Sequence, residues 1–331
     1  MVLGGGAGGV WAVAFQPDGK HFFDGTTREI RRWRLADGQE LGKQTEMNMY
    51  AISVSKDQKW VACATTSGAS VWDAELREKV TEVESGDRVW SVDVAPDCTK
   101  FATGTSGRQV TIWSITTGER LLGLLERGNG INGVKFSPNG GRLATACCDD
   151  STIRIVDAHN GDHLISIENP MPHASYHPIV WSTDGQQLFA TSGDYKIKSF
   201  DSSTGSPLAE WQIHENSGGP MSITLSPNGK FIASSAGRFV SFWDASTHTQ
   251  LGIVEETHKI HSVALSHDGC RLATGSKESG SSTIWNLRGI LPDSYLVNNV
   301  STPFLRSSTT FIHESLFPYT RKSLVGPEPR V

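Results

Sequence analysis

Residues 131–164 read INGVKFSPNGGRLATACCDDSTIRIVDAHNGDHL. Val134 and Phe136 alternate with polar neighbours, Ser137-Pro138-Asn139-Gly140 is a turn signal, and Leu143-Ala144-Thr145-Ala146 is a second short strand. Asp149-Asp150-Ser151 makes the next hairpin, Thr152–Val156 a third strand, and Asn160-Gly161 a further turn. The unit is three short strands, each followed by a turn.

The same unit recurs along the chain. Its first turn returns as Pro17-Asp18-Gly19, Lys56-Asp57-Gln58, Pro96-Asp97-Cys98, Thr183-Asp184-Gly185, Pro227-Asn228-Gly229 and His267-Asp268-Gly269. The middle residues step by 39, 40, 42, 45, 44 and 40. The end of the third strand returns independently as Trp33-Arg34, Trp72-Asp73, Trp113-Ser114, Val156-Asp157, Phe200-Asp201, Trp243-Asp244 and Trp285-Asn286. Two anchors holding one period seven times identify a repeat architecture.

VKFSPNGGRLATACCDDSTIRIVD, VALSHDGCRLATGS, TIWSITTGERL, VWDAELREKV and FWDASTHTQL resemble WD40 repeats, the four-stranded blades of β-propellers. The resemblance spans about Val10 to Leu291 and implies a fold while saying little of function. The texture is similar to the repeat arrays of fungal NACHT-type signalling receptors, here without a nucleotide-binding domain. It also implies, in many blades, an Asp six residues before the Trp position, bonded to a His in the preceding loop. Only Asp150 and Asp194 hold that place; Thr27, Thr66, Gly107, Gly237 and Ser279 fill the others. Asp150 and Asp194 are therefore expected to be structural, with His173 and His214 near the corresponding loops.

Physical reasoning reaches the same architecture. One unit cannot bury both faces of its sheet alone, and seven stacked radially can. The expected fold is all-β, a seven-bladed propeller of four-stranded antiparallel blades. The large residue ending each third strand fills the wedge between blades, and full burial of one such side chain contributes about 1.5–3 kcal/mol. Trp33, Trp72, Trp113, Trp243 and Trp285 are accordingly expected in the core.

The expected organisation is a flexible Gly-rich leader over 1–9, the propeller over 10–297, and an irregular tail over 298–331. For ring closure, the segment from Ile290 to Val297 is favoured as completing blade seven, with Val2-Leu3 alongside, although Pro292 suits only an edge strand.

The net charge of −5 provides no general basic surface for nucleic acid, and no apolar run reaches the ~18 residues of a membrane span. MVLGGGAGG lacks the layout of a signal peptide. Five cysteines, none in Cys-x-x-Cys, read as reduced thiols of a cytoplasmic protein, with the nucleus as a second location. Cys147 and Cys148, adjacent on a strand, point to opposite faces. The eleven histidines show no metal-ligand spacing, and phosphate-loop and nucleophile-elbow motifs are missing. No cofactor or metal is expected.

Function on such a ring belongs at the channel mouth. In Val10-x-x-Val13-x-Phe15 the core spacing breaks period two, which implies a bulge pushing a side chain outward. The outward residues are Trp11, Tyr50, Trp90, Asn132, His177, Met221 and His261, with Arg88, Lys259, Asp149 and Glu278 as a polar rim. Rigid aromatics at a mouth suit a protein or peptide hot spot. The expected function is a non-catalytic interaction scaffold. A sharper variant reads Trp285-Asn286-Leu287-Arg288 as resembling, with Asn for Asp, the element by which some WD40 proteins dock on cullin–RING ubiquitin ligase adaptors, through Arg288. A propeller enzyme using mouth residues is the remaining class, without a convergent acid, base and nucleophile to carry it.

Overall fold

Each turn that follows a first strand is built the same way. The Asp or Asn at its centre accepts the N–H two residues on: Asp18 from Lys20 (2.7 Å), Asp97 from Thr99 (3.0 Å), Asn139 from Gly141 (3.1 Å), Asp184 from Gln186 (2.9 Å) and Asp268 from Cys270 (3.0 Å). The next residue then adopts positive φ. It is glycine in five of the seven turns, whereas Gln58 (φ 67°) and Cys98 (φ 59°) hold it in the other two. These reversals set the strand pairing, and seven four-stranded antiparallel sheets result.

The computed structural model describes residues 1–5, 8–45, 48–125, 128, 130–169, 178–213 and 221–296. The chain divides into a unit of residues 1–299 and one of 300–331, and the second lies outside the described residues. The first strands of the seven blades are Val10–Phe15, Ala51–Val54, Val89–Val94, Ile131–Phe136, Ile179–Trp181, Met221–Leu225 and Ser262–Leu265. The expected seven-bladed propeller is the observed fold.

The core is divided into seven clusters, one in each wedge between neighbouring blades. The residue ending each third strand packs toward the blade before it: Trp72 with Phe23 and Ile30 of blade one, Trp113 with Val71 and Val83 of blade two, Trp243 with Phe189 and Ile197 of blade five. Trp33, Trp72 and Trp243 are buried, and Trp113 and Trp285 half-buried. Two of the indole N–H groups find oxygen on the second strand, Trp113 on Thr103 (2.9 Å) and Trp243 on Ser234 (3.0 Å), and that of Trp285 finds Glu256 (3.0 Å). Cys147 packs between blades three and four and Cys148 between four and five, on opposite faces as adjacent strand residues must.

Ring closure differs from expectation. The outer strand of blade seven is Val2–Gly4, paired antiparallel on Ser281–Asn286 in the register Val2↔Thr283, Leu3↔Ser282, Gly4↔Ser281. The presumed leader thus supplies a strand, and burial is the reason: Leu3 is 1% exposed among Val10, Phe22, Trp33 and Ile284. The favoured segment from Ile290 instead turns away, forms a 3-10 turn at Asp293–Tyr295 and stays outside the sheet. Leu287, Leu291 and Leu296 fill the wedge of blades six and seven, while the Tyr295 hydroxyl donates to Asp244 at 2.5 Å.

A buried ion pair within blade one is tied to blade seven by hydrogen bonds. Arg31 donates through Nε and Nη2 to both oxygens of Asp24 at 2.7 and 2.8 Å, with both side chains almost fully buried. Ser282 of blade seven donates to Asp24 at 2.9 Å, and the Gly280 carbonyl accepts from Arg31 at 3.5 Å. Burial pushes the Asp24 carboxyl up, opposed chiefly by the guanidinium. Removing one partner of such a pair strands a buried charge.

Asp24→Ala is expected to cost ~3–5 kcal/mol, read as a lowered urea midpoint, whereas the same change at exposed Asp37 shifts it little. The turn carboxylates contribute a dependence on acid. The hydroxyls and N–H groups of Ser203 and Thr204 hold Asp201 down to about 2, against an ordinary 3.8, and Asp57, Asp157 and Asp184 are also lowered. Their depressed values contribute stability present above pH 4 and lost as pH falls toward 2. Thermal melts are expected to fall across that window, and Asp201→Asn to flatten the fall.

Candidate functional site

The first strands surround the channel, and their lower ends are laced from blade to blade. Ser91 accepts the Val134 N–H at 2.7 Å, and Asp93 accepts the Phe136 N–H at 2.9 Å and Lys135 Nζ at 2.7 Å. At the mouth the expected bulge is present in three blades, with register shifts between Val10 and Ala12, Val89 and Ser91, and Ile131 and Gly133. The displaced residues are Trp11, Trp90 and Asn132.

Three of the expected mouth residues come together. The Trp11 ring lies 5.5 Å from Tyr50 and 5.6 Å from His261, both edge to face, which joins blades seven, one and two. Lys277, in the second hairpin of blade seven, places Nζ 4.3 Å from the centre of the Trp11 ring. Trp11, Tyr50 and His261 are half-buried, so part of each stays open to solvent. Burial pushes the His261 imidazole below its ordinary value; a hydrogen bond with the Lys259 backbone and the Glu278 charge oppose this, and the Lys277 and Lys259 charges add to it.

The other mouth residues behave differently. Trp90 leans onto the blade four–blade five cluster beside Cys148 and takes no part in the trio's ring contacts. Asn132 is 3% exposed, which corrects the expectation that it points outward: the bulge turns it into the wall. His177 lies outside the described residues, as does the Met221 side chain, together with His173 and His214. Arg88 and Lys259 are exposed at the rim. Lys277 is the residue that sequence reasoning missed, because in a loop nothing separates it from Glu278 beside it.

Asp150 is bonded to Arg154 at 2.6 Å, and Asp194 lies 3.6 Å from Lys196 and 3.8 Å from Lys198. Both carboxylates thus face cations of their own blades. Arg288 is exposed, and its N–H is held by the Asn286 side chain at 3.1 Å. Burial raises the Cys147 thiol to about 11, which suppresses its thiolate. Among the described residues no three His, Cys, Asp or Glu side chains stand together as a metal site, and no helix is long and apolar enough to cross a membrane.

A family model described as WD domain, G-beta repeat matches residues 78–114, 120–157, 205–244 and 249–286. The chain is a β-propeller with WD40 repeats. Each matched segment begins on the outer strand of one blade and ends on the third strand of the next. The repeat in sequence is therefore offset from the blade in space. By that phase Val2–Gly4 is the head of the first repeat, which accounts for its place in blade seven.

Curated relatives of this WD40 chain carry the name eukaryotic translation initiation factor 3 subunit I. Those from Emericella nidulans and Scheffersomyces stipitis are each 27% identical, over 50% and 46% of this chain. That from Candida albicans is 24% identical over 61%. The chain spans about half the length of the first two, 49% and 47%. The β-propeller domain of Cps50 (Swd1) from Myceliophteria thermophila superposes with a TM-score of 0.73 at 16% identity, covering 85% of this chain and 97% of that one, a likeness of fold. These relatives are initiation-factor subunits, so the repeat texture does not single out NACHT-type arrays.

Proposed function

We propose that this protein is a non-catalytic interaction scaffold that docks a protein or peptide partner on the channel mouth at Trp11, Tyr50 and His261. One observation carries the reading. Three rings from three successive blades are locked edge to face on a rigid wall while remaining partly open. Rigid aromatics offer contact area with little ordering cost, which is how binding hot spots are built. On blade three, Trp90 keeps part of its ring open beside the exposed Arg88.

Trp11→Ala with Trp90→Ala is expected to remove a partner from affinity-purified complexes while the melting temperature moves by only a few degrees. An unchanged partner set would remove the aromatic mouth from consideration.

The relatives favour a more specific setting. Likeness over about half the chain to proteins named as initiation factor 3 subunits supports a role as a subunit of a multiprotein assembly in the cytoplasm. The tagged chain is then expected to co-sediment with small ribosomal subunits in a sucrose gradient of a cell extract. Sedimentation only at the position of the free chain would dispose of this setting and leave the docking face standing.

A further inference from the structure

Resting on the reading that the mouth docks a partner, we propose that its blade seven–blade one sector accepts an acidic stretch of that partner. The carboxylates would meet Lys277 and Lys259 while the aliphatic stems lie on Trp11 and Tyr50. The argument begins with the position of Lys277. Its ammonium, 4.3 Å from the Trp11 ring centre, takes the place an incoming cation would seek on that ring. A basic partner is therefore met by like charge at the aromatic centre of the face, and an acidic one by attraction.

The rim around it has the same sign. Arg28, Arg88, Lys259 and Lys277 are all exposed and in no ion pair among the described residues. Of the nearby carboxylates, Glu29 is 3.5 Å from Lys43 and Glu256 accepts the Trp285 indole N–H at 3.0 Å. Glu278, beside Lys277 and 3.5 Å from His258, Asp87, next to Arg88, and Asp149 on blade four are exposed, against the four exposed cations. A local cationic arc on a chain of net charge −5 steers an acidic segment to one sector and leaves the rest of the surface unattractive to it. His261 gains from the same occupant, since a carboxylate beside it would favour the protonated ring.

The test uses the full chain and a fluorescein-labelled octaglutamate peptide, with octalysine as the control, followed by fluorescence anisotropy. Octaglutamate is expected to bind, to weaken as salt is raised, and to bind about tenfold less tightly to Lys259→Glu with Lys277→Glu. A melting curve of the double variant close to that of the parent shows that the ring stays closed. Octaglutamate that fails to bind, or that binds the double variant as tightly as the parent, overturns the proposal, as does octalysine binding equally well. Any of those results together with partner loss in the Trp11→Ala, Trp90→Ala variant ends the acidic chemistry and leaves the docking face. Octaglutamate captured through the two lysines while that tryptophan variant keeps every partner removes the docking reading instead.

Discussion

Everything in this molecule depends on the contact between its first and last blades. Six of the seven wedges join blades whose strands follow closely in sequence, so their assembly is local. The seventh joins residues about 250 positions apart, as in Asp24 to Ser282. It is held by three backbone-paired residues, the burial of Leu3, and the Ser282 hydroxyl of blade seven on the buried Asp24–Arg31 pair of blade one. The buried pair trades desolvation for geometry, because a guanidinium satisfied by both oxygens of Asp24 has few other arrangements. The arginine beside this seam also passes 5.1 Å from Trp33, which fills the same wedge.

The architecture was legible in the sequence because two chemical anchors repeat with one period. The turn needs an acceptor and then a left-handed residue; the end of the third strand needs a large side chain for the wedge. Both demands leave marks at fixed spacing. Ring closure was not legible for a reason of phase. Counting a blade from its first strand to its fourth assigns the strand after Trp285 to the last unit, whereas the chain counts from the fourth strand of the preceding blade. Val2-Leu3-Gly4 is so short that its pattern places it only alongside the segment from Ile290, and the burial of Leu3 is what gives it the outer edge. Asp24–Arg31 was hidden for a similar reason, since charged residues inside strands read as outward-facing.

The mouth was half legible. The broken alternation at Val10-x-x-Val13 located the bulges, and the rings at Trp11 and Tyr50 followed from them. Bulge position alone does not decide which way a displaced side chain leans. Trp90 falls toward Cys148 and Asn132 into the wall, directions set by the space the neighbouring blade leaves. Lys277 belongs to a hairpin far from Trp11 in sequence, and its stacking is a property of the closed ring rather than of any segment.

The displaced phase of the first repeat has a bearing on the order of events during synthesis. Val2–Gly4 leaves the ribosome early and has no edge to pair with until Ser281–Asn286 has emerged. In the interval blade one exposes the flank that Ala273 and Ile284 later cover. Closure is thus the longest-range event in the folding of this chain, and such contacts form slowly. A nascent ring that stays open invites a second copy to lend its own terminal strand, so the time spent waiting for the last blade sets the window for strand exchange between molecules.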